Sequence, residues 1–351
     1  MRAIELRALR PTHPLGYLAA LGLHRTLVRE LGFDARLAWT DAGTPHAVVE
    51  APLSREELVS SLASVWQRQA TQGAVKLLAV HGQVRAFPPH APLAPASERA
   101  GERGMNDPAK MLPSEYASYA EAARASGDPE ARAWIRAVAS DVVLERERRP
   151  PIATLTQFYL LSRGQRLAQQ FEALWTWSGQ NDVRVALHQA VSGWRRVEIG
   201  GGMNWDIDAN QNAAETPRGK ARTLIVPGAT WLAMMALPYF PVRRSNGRAA
   251  TRGFQLVRGR PVLVLPTWRT RLDLAAIEAL LDHPALELEP AGVQLRRSQQ
   301  ELDQLGITSV HKVDVVARRM ANQTECYLGK CTLVPPAPRA RTARARVGVT
   351  G

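Results

Sequence analysis

The residues best suited to chemistry lie in a short polar segment that follows three consecutive glycines. Asp206, Asp208 and Asn210 match the first three ligand positions of a calcium-binding loop. The match ends there, because Gln211 replaces the glycine of such a loop and Pro217 replaces its bidentate glutamate. The segment therefore predicts no calcium site.

Two interpretations of the aspartates remain open. The carboxylates of Asp206 and Asp208 could hold Mg²⁺ for a nuclease reaction, although such a site needs further carboxylates that the sequence does not locate. Alternatively, they belong to a polar loop or cap a helix. We favour the second interpretation and predict no catalytic residue, no metal and no cofactor, with a metal-dependent nuclease as the enzymatic alternative.

Other ligand patterns predict no site. Cys326 and Cys331 supply two thiols, whereas a structural zinc ion takes four ligands, and only His311 is near them in sequence. The eight histidines have no ligand spacing, and the sequence contains no phosphate-binding loop or nucleophile elbow. The two cysteines are therefore expected to be ordinary buried or strand residues.

The charge distribution gives the strongest functional signal. The chain of 351 residues has a net charge of +13, and no Asp or Glu occurs from Thr216 to Leu272, where eleven residues are basic. The segment after Pro335 adds four arginines and no acid, which leaves the rest of the chain nearly neutral. Because phosphate binding requires local positive charge, this pattern favours a nucleic-acid partner.

We predict that arginines of the acid-free region contact nucleic acid, since a guanidinium can donate two parallel hydrogen bonds to phosphate oxygens. Four of them fall in residues 241–253, a segment rich in Gly, Ser and Asn that is predicted to be a loop, and two flank Gly259 at a predicted hairpin tip. The predicted contact residues are Arg243, Arg244, Arg248, Arg252, Arg258, Arg260, Arg269 and Arg271. Contact with an acidic protein and plain solvation are the alternatives.

Hydrophobic periodicity and chain breakers predict an α+β protein. A mixed strand-and-helix region over residues 1–87 precedes a linker or long loop over 88–113 and a helical region over 114–199. A basic strand-and-helix region covers 200–334, and a disordered basic tail covers 335–351. The helices and strands of these regions must hold the side chains of any functional site in place.

The first region has the clearest local signals. Alternation predicts a strand over residues 2–9, and Pro14 opens a helix over 15–31 that is apolar on most faces and therefore buried. Gly16 and Gly22 in that helix predict the close approach of another backbone.

The remaining elements are less regular. Ser54 and Glu57 form a capping box, and residues 75–87 are predicted to hold a strand pair. Helices are predicted over residues 114–125, 129–145, 156–175, 183–194, 230–239 and 272–281, and hairpin strands over 254–257 and 261–265. No run of 18 apolar residues and no signal-peptide core occurs, so we expect a cytoplasmic protein without a membrane partner.

One stretch resembles a known family. Residues 9–23 (LRPTHPLGYLAALGL), followed by Trp39, are similar to the opening of CRISPR-associated proteins of type I-G (I-U) systems. Residues 237–242 (LPYFPV), 265–268 (LPTW) and 277–284 are similar in order and spacing to the C-terminal half of the same group. The resemblance covers segments near both ends of the chain, and no resemblance is identified for the middle helices.

The resemblance implies a large-subunit-like or accessory component of an RNA-guided DNA-binding complex that serves antiviral defence. In such complexes the guide reads the sequence, while protein subunits hold the nucleic-acid backbone. The expected function is therefore non-catalytic binding to the phosphate backbone of guide RNA or target DNA, with other CRISPR-associated subunits as partners. No residue that reads a flanking motif carries over to this chain.

Overall fold

The computed structural model describes residues 1–41, 43–79, 88–91, 109–145, 151–160, 166–199, 203–209, 224–245, 247–319 and 324–338. They form the predicted mixed α+β fold. The helices are α1 (Pro14–Arg29), α2 (Arg55–Ala79), α3 (Pro113–Ala125), α4 (Pro129–Val138), α5 (Leu167–Ser178), α6 (Val183–Ser192), α7 (Pro227–Met235), α8 (Leu274–Leu281) and α9 (Gln299–Gln304). The strands are β1 (Arg2–Leu6), β2 (Arg36–Trp39), β3 (Ala47–Ala51), β4 (Ala139–Glu145), β5 (Ile152–Leu155), β6 (Val197–Glu198), β7 (Leu224–Ile225), β8 (Val242–Ser245), β9 (Arg248–Thr251), β10 (Phe254–Val257), β11 (Arg260–Trp268), β12 (Ile307–Arg319) and β13 (Thr324–Leu333).

Helix α1 is buried on nearly every face, as its composition predicts, and it packs along α7. The glycine prediction is confirmed at both positions. A Cβ atom added to Gly22 would lie 1.6 Å from the carbonyl oxygen of Leu232, and one added to Gly16 would lie 2.8 Å from that of Arg10. The two helices can therefore approach this closely only because position 22 has no side chain.

Two antiparallel sheets are joined beside α1. The first has the order β1-β3-β2 and the second β10-β11-β12-β13. Leu37 and Leu272 exchange backbone hydrogen bonds of 2.9 and 3.0 Å, and Trp268 Nε1 donates to the Leu37 carbonyl at 2.8 Å. Tyr17 Oη donates to the carbonyl of Pro266 at 2.9 Å, which ties α1 to β11.

The helical part of the core contains a stack of tryptophans. Trp66 and Trp231 lie parallel with ring centroids 5.1 Å apart, and Trp177 stacks on Trp66 at 6.0 Å. Trp231 Nε1 donates to Oε1 of Gln69, so the polar atom of the buried ring is satisfied. None of the helices in the described part of the chain is long and apolar enough to cross a membrane.

The helix predicted over residues 129–145 is wrong in its second half. It ends at Val138, and the chain continues as β4, which pairs with β5 in an antiparallel hairpin. The β-branched Val142 and Val143 favour a strand, and pairing with a second strand overrides the helical pattern of the preceding residues.

Two other predicted elements also differ. Residues 75–79 continue α2 instead of forming a strand, and the remainder of that predicted pair, 80–87, lies outside the described residues. Residues 156–160 are not helical, and the helix predicted over 156–175 begins only at Leu167. The first error arises because a short apolar run does not distinguish a helix from a strand. In the second, residues 156–160 form a turn and irregular backbone after β5.

The first residues of the predicted disordered tail form backbone hydrogen bonds with the rest of the fold. Leu295 donates its backbone N–H to the carbonyl of Pro335 at 2.9 Å, and Ala337 donates to that of Arg297 at 2.7 Å. Residues 335–338 are therefore held on the fold, and the prediction is wrong for them. The remainder of the tail, with Arg339, Arg341, Arg344 and Arg346, lies outside the described residues.

A histidine joins two helix ends in the region predicted to be a linker. His90 Nε2 lies 2.5 Å from Oε1 of Glu30, just after α1, and Nδ1 lies 3.1 Å from Oδ2 of Asp128, the N-cap of α4. Arg68 of α2 also binds Glu30, at 2.9 Å. Because both ring nitrogens face carboxylates, both must donate, which requires the imidazolium form.

This arrangement predicts a pH-dependent contribution to stability. Burial opposes charging of His90, but the hydrogen bonds and charges of Glu30 and Asp128 outweigh it and raise the pKa. The contribution is therefore complete below the unfolded-state pKa of about 6.5 and is lost as the pH rises through the higher folded-state value. We expect His90→Gln to lower the free energy of unfolding by about 1–2 kcal/mol at pH 5.5 and by much less at pH 8.5.

Urea unfolding of both proteins at the two pH values measures this difference. His188→Gln is the control, because His188 is exposed on α6 and should give the same small effect at both pH values. An effect of His90→Gln that does not change with pH would contradict the ionic bridge.

Candidate nucleic-acid interface

Two strands within residues 241–253 form a β-hairpin, so the predicted loop is wrong. Strands β8 and β9 pair with Val242 opposite Thr251 and Ser245 opposite Arg248. Val242 and Thr251 are buried, Ala249 and Ala250 are partly buried, and the remaining strand residues nearer the turn are exposed. Burial therefore changes along the hairpin, because its base lies against the core and its turn does not. Arg243 lies on the face opposite Val242, since successive strand residues alternate between faces.

The second predicted hairpin, between β10 and β11, is confirmed. Val257 pairs with Arg260, and the two residues between them, Arg258 and Gly259, have φ angles of 50° and 78°. Two successive residues in the left-handed region are typical of the type I′ turn that fits the twist of a hairpin. Arg258 is therefore exposed at the end of the hairpin.

A groove of about 820 Å³ is lined by both hairpins and by the segment 281–290. Three predicted contact residues line it: Arg243, Arg248 and Arg258. Sequence reasoning missed a fourth, Arg296, which binds Glu287 at 3.2 Å. Its only sequence signal is its charge, because it lies outside the acid-free region.

The groove also contains acids that the sequence does not place there. Asp282 directly follows α8, and its carboxylate binds both Arg243 and Arg252. The second of these pairs measures 2.7 Å, and Arg252 also donates to the carbonyl of Tyr239 at 2.9 Å. With 15% of its side chain exposed, Arg252 holds the hairpin on the fold.

Two further predicted residues pair with carboxylates in or just after strands of the first sheet, and they do not line the groove. Arg269 binds Asp41, and Arg271 binds Glu50 of β3 at 3.0 Å. A stretch of sequence without Asp or Glu can therefore still lie next to carboxylates in the folded protein, because folding brings them in from distant parts of the chain. These two arginines are held by their carboxylates on another face of the fold.

The four other predicted arginines make no ion pair within the described residues. They are exposed, and they lie at or beside the ends of the two hairpins. These residues, named the hairpin-tip arginines below, are Arg244, Arg248, Arg258 and Arg260. They are the predicted residues best able to bind an anion, because no carboxylate of the described part of the chain has to be displaced first.

No protein-family model, no curated protein and no solved structure matches this chain.

The two aspartates of the polar segment form ion pairs with Arg196. Arg196 donates from Nε to Oδ2 of Asp206 at 2.9 Å and from Nη2 to Oδ1 at 3.0 Å, and the same Nη2 reaches Oδ2 of Asp208 at 3.1 Å. Oδ1 of Asp206 also accepts the backbone N–H groups of Asp208 and Ala209, at 3.2 and 3.3 Å. The ion pair and the cap together support the interpretation as a helix cap.

His13 lies against the same carboxylates, which makes the group a candidate metal site. Its Nε2 is 3.5 Å from Oδ1 of Asp206 and 3.8 Å from Oδ2 of Asp208. Those two oxygens are the ones that Nη2 of Arg196 already binds, so a cation would have to displace a guanidinium. Burial opposes ionisation of Asp206, but the nearby His13 ring and Arg196 outweigh it and lower the pKa to about 2.

The two cysteines both lie on β13. Cys331 donates its thiol to the carbonyl of Pro11 at 3.7 Å, and burial raises its pKa to about 12. Burial also raises the pKa of Cys326. Such thiols are weak nucleophiles at neutral pH, in keeping with the prediction of ordinary strand residues.

Proposed function

We propose that this protein is a non-catalytic nucleic-acid-binding subunit of a CRISPR type I effector complex, acting in the cytoplasm in antiviral defence. The hairpin-tip arginines would contact the phosphate backbone of guide RNA or target DNA. The observation that carries the binding proposal is their lack of any ion pair within the described residues, at the ends of two neighbouring hairpins. The assignment to an effector complex rests on the resemblance of residues 9–23 and of the later segments to type I-G proteins.

The side chains of the groove favour backbone contact over base contact. Proteins that stack on bases present exposed aromatic rings, and stacking contributes about 1–3 kcal/mol per base. Among the described groove residues, the only Phe, Tyr or Trp is Phe254, which is 6% exposed. Arginine contacts to phosphate carry no sequence information, which suits a subunit in a complex whose guide reads the sequence.

The alternatives receive less support. A metal-dependent nuclease would require Asp206 and Asp208 to release Arg196, which both of them bind. A module that binds an acidic protein could use the same hairpin-tip arginines, and the binding experiment below distinguishes it.

We expect a variant with all four hairpin-tip arginines changed to alanine to lose affinity for nucleic acid. The measurement is fluorescence anisotropy with labelled single-stranded RNA, single-stranded DNA and duplex DNA across a salt series. Each lost phosphate contact should reduce the slope of log K against log salt by roughly one. Four contacts would lower the affinity at low salt by roughly tenfold or more.

The control removes the same number of charges elsewhere. Arg36, Arg132, Arg184 and Arg195 are exposed on β2, α4 and α6 and after α6, and their combined change to alanine should leave most of the affinity. If both variants lose affinity equally, binding depends on net charge alone and the site is wrong. If wild type binds none of the three probes, the nucleic-acid function is wrong, and an acidic protein becomes the preferred partner.

A further inference from the structure

Asp282 lies in the groove in a position to compete with a bound anion. One carboxylate oxygen faces Arg243 and the other binds Arg252. The Asp282 side chain lines the groove and is 28% exposed, and its Oδ1, which faces Arg243, is buried.

The two arginines that share Asp282 differ in how firmly they are held. Arg252 has a second partner, the carbonyl of Tyr239, and little exposed surface. Arg243 has 47% of its side chain exposed, and Asp282 is its only ion-pair partner among the described residues. Arg243 can therefore leave the carboxylate without disrupting the hairpin, whereas Arg252 cannot.

We infer that Asp282 limits the affinity of the groove for phosphate, and that a bound polyanion exchanges the Arg243–Asp282 ion pair for an Arg243–phosphate contact. This inference rests on the proposed function. Arg243 is then a latent contact that forms only when phosphate displaces a carboxylate. Arg243 is half exposed, and Asp282 keeps its ion pair with Arg252 when Arg243 leaves, so the exchange does not leave the carboxylate without a cation.

The exchange also determines which class of ligand the groove binds. A single phosphate at Arg243 must displace Asp282 without help from other contacts. A chain of phosphates held at the same time by Arg248 and Arg258 has a high local concentration at Arg243, so the exchange becomes favourable. The groove should therefore select polynucleotides against mononucleotides and inorganic phosphate.

The test is Asp282→Asn, which removes the charge and retains an amide oxygen that can still accept from Arg252. We expect its affinity for a single-stranded oligonucleotide to rise about three- to tenfold at low salt, and the salt slope to steepen by about 0.7, which corresponds to one further phosphate.

A matched control separates this effect from a general change of charge. Glu50→Gln also adds one positive charge and releases Arg271, which is 50% exposed, but on the first sheet. Its affinity should stay close to that of wild type. Thermal melts of both variants establish that each is folded.

A variant that also lacks Arg243 tests whether the gain in affinity depends on that residue. The gain from Asp282→Asn should disappear in the double variant Arg243→Ala, Asp282→Asn, and inorganic phosphate should compete weakly with every variant. The inference is overturned if Asp282→Asn binds no better than Glu50→Gln, or if the gain persists without Arg243. Wild type that binds no oligonucleotide would overturn the proposed function as well, whereas binding with no effect of Asp282→Asn would overturn this inference alone.

Discussion

Gly22→Ala is expected to destabilise the protein by about 3 kcal/mol or more, and to prevent folding if its stability is modest. The added Cβ would lie 1.6 Å from the carbonyl oxygen of Leu232 and 2.9 Å from the backbone nitrogen of Ala236. Neither atom can rotate away, because both belong to the backbone around α7. Relief requires α1 and α7 to separate, and that separation would open the core on both sides of the contact.

Whether Gly22→Ala lowers or raises the free energy of unfolding distinguishes an effect of packing from an effect of helix propensity. In an isolated helix, alanine is about 1 kcal/mol more favourable than glycine, so propensity alone predicts a more stable variant. Gly193→Ala is the control, since it has an extended backbone and no atom within 4 Å of the added Cβ. Urea unfolding measures all three proteins, and a Gly22→Ala variant at least as stable as wild type would contradict the helix contact.

Elements with strong local signals were predictable from the sequence. Ser54 and Glu57 form the predicted capping box, with the Glu57 carboxylate accepting the Ser54 N–H at 2.6 Å and the Ser54 hydroxyl accepting the Glu57 N–H at 3.2 Å. Pro14 and Pro129 each stand in the first turn of a helix, as predicted. Each of these signals lies within a few residues of the helix start that it determines.

Features that depend on distant partners were not predictable. The change from α4 to β4 depends on pairing with β5, and a single-sequence pattern does not show that partner. The candidate site has the same limitation: Asp282 lies well beyond the arginines that it binds. Only the fold shows that Arg243 is paired with it, whereas Arg248 has no ion pair among the residues that the structure describes. The sequence therefore predicts which residues are basic, while the fold determines which of them are available.

The largest electrostatic effect on stability is expected at Glu130, in the first turn of α4. Its carboxylate lies 2.6 Å from Nη2 of Arg25 and 3.5 Å from Nε of Arg29, both on α1. The Arg25 and Glu130 side chains are only 3% and 8% exposed. Glu130→Ala would leave the Arg25 charge buried without its partner, which costs about 3–5 kcal/mol in such pairs.

An exposed pair of the same length provides the comparison. Arg124 and Glu121 of α3 are also 2.6 Å apart, but their side chains are 70% and 60% exposed, so Glu121→Ala should change the free energy of unfolding very little. Equal effects of the two substitutions would contradict the role assigned to burial.

The double variant Arg25→Met, Glu130→Leu tests whether the pair itself stabilises the fold. Nε and Nη1 of Arg25 have no hydrogen-bond partner among the described residues, so the buried pair is incompletely satisfied. Replacing both charges with apolar side chains removes that desolvation cost together with the attraction. We therefore expect the double variant to recover most of the stability that Glu130→Ala loses. If it stays as unstable as the single variant, the attraction between the charges exceeds their desolvation cost, and the pair contributes directly to holding α1 against α4.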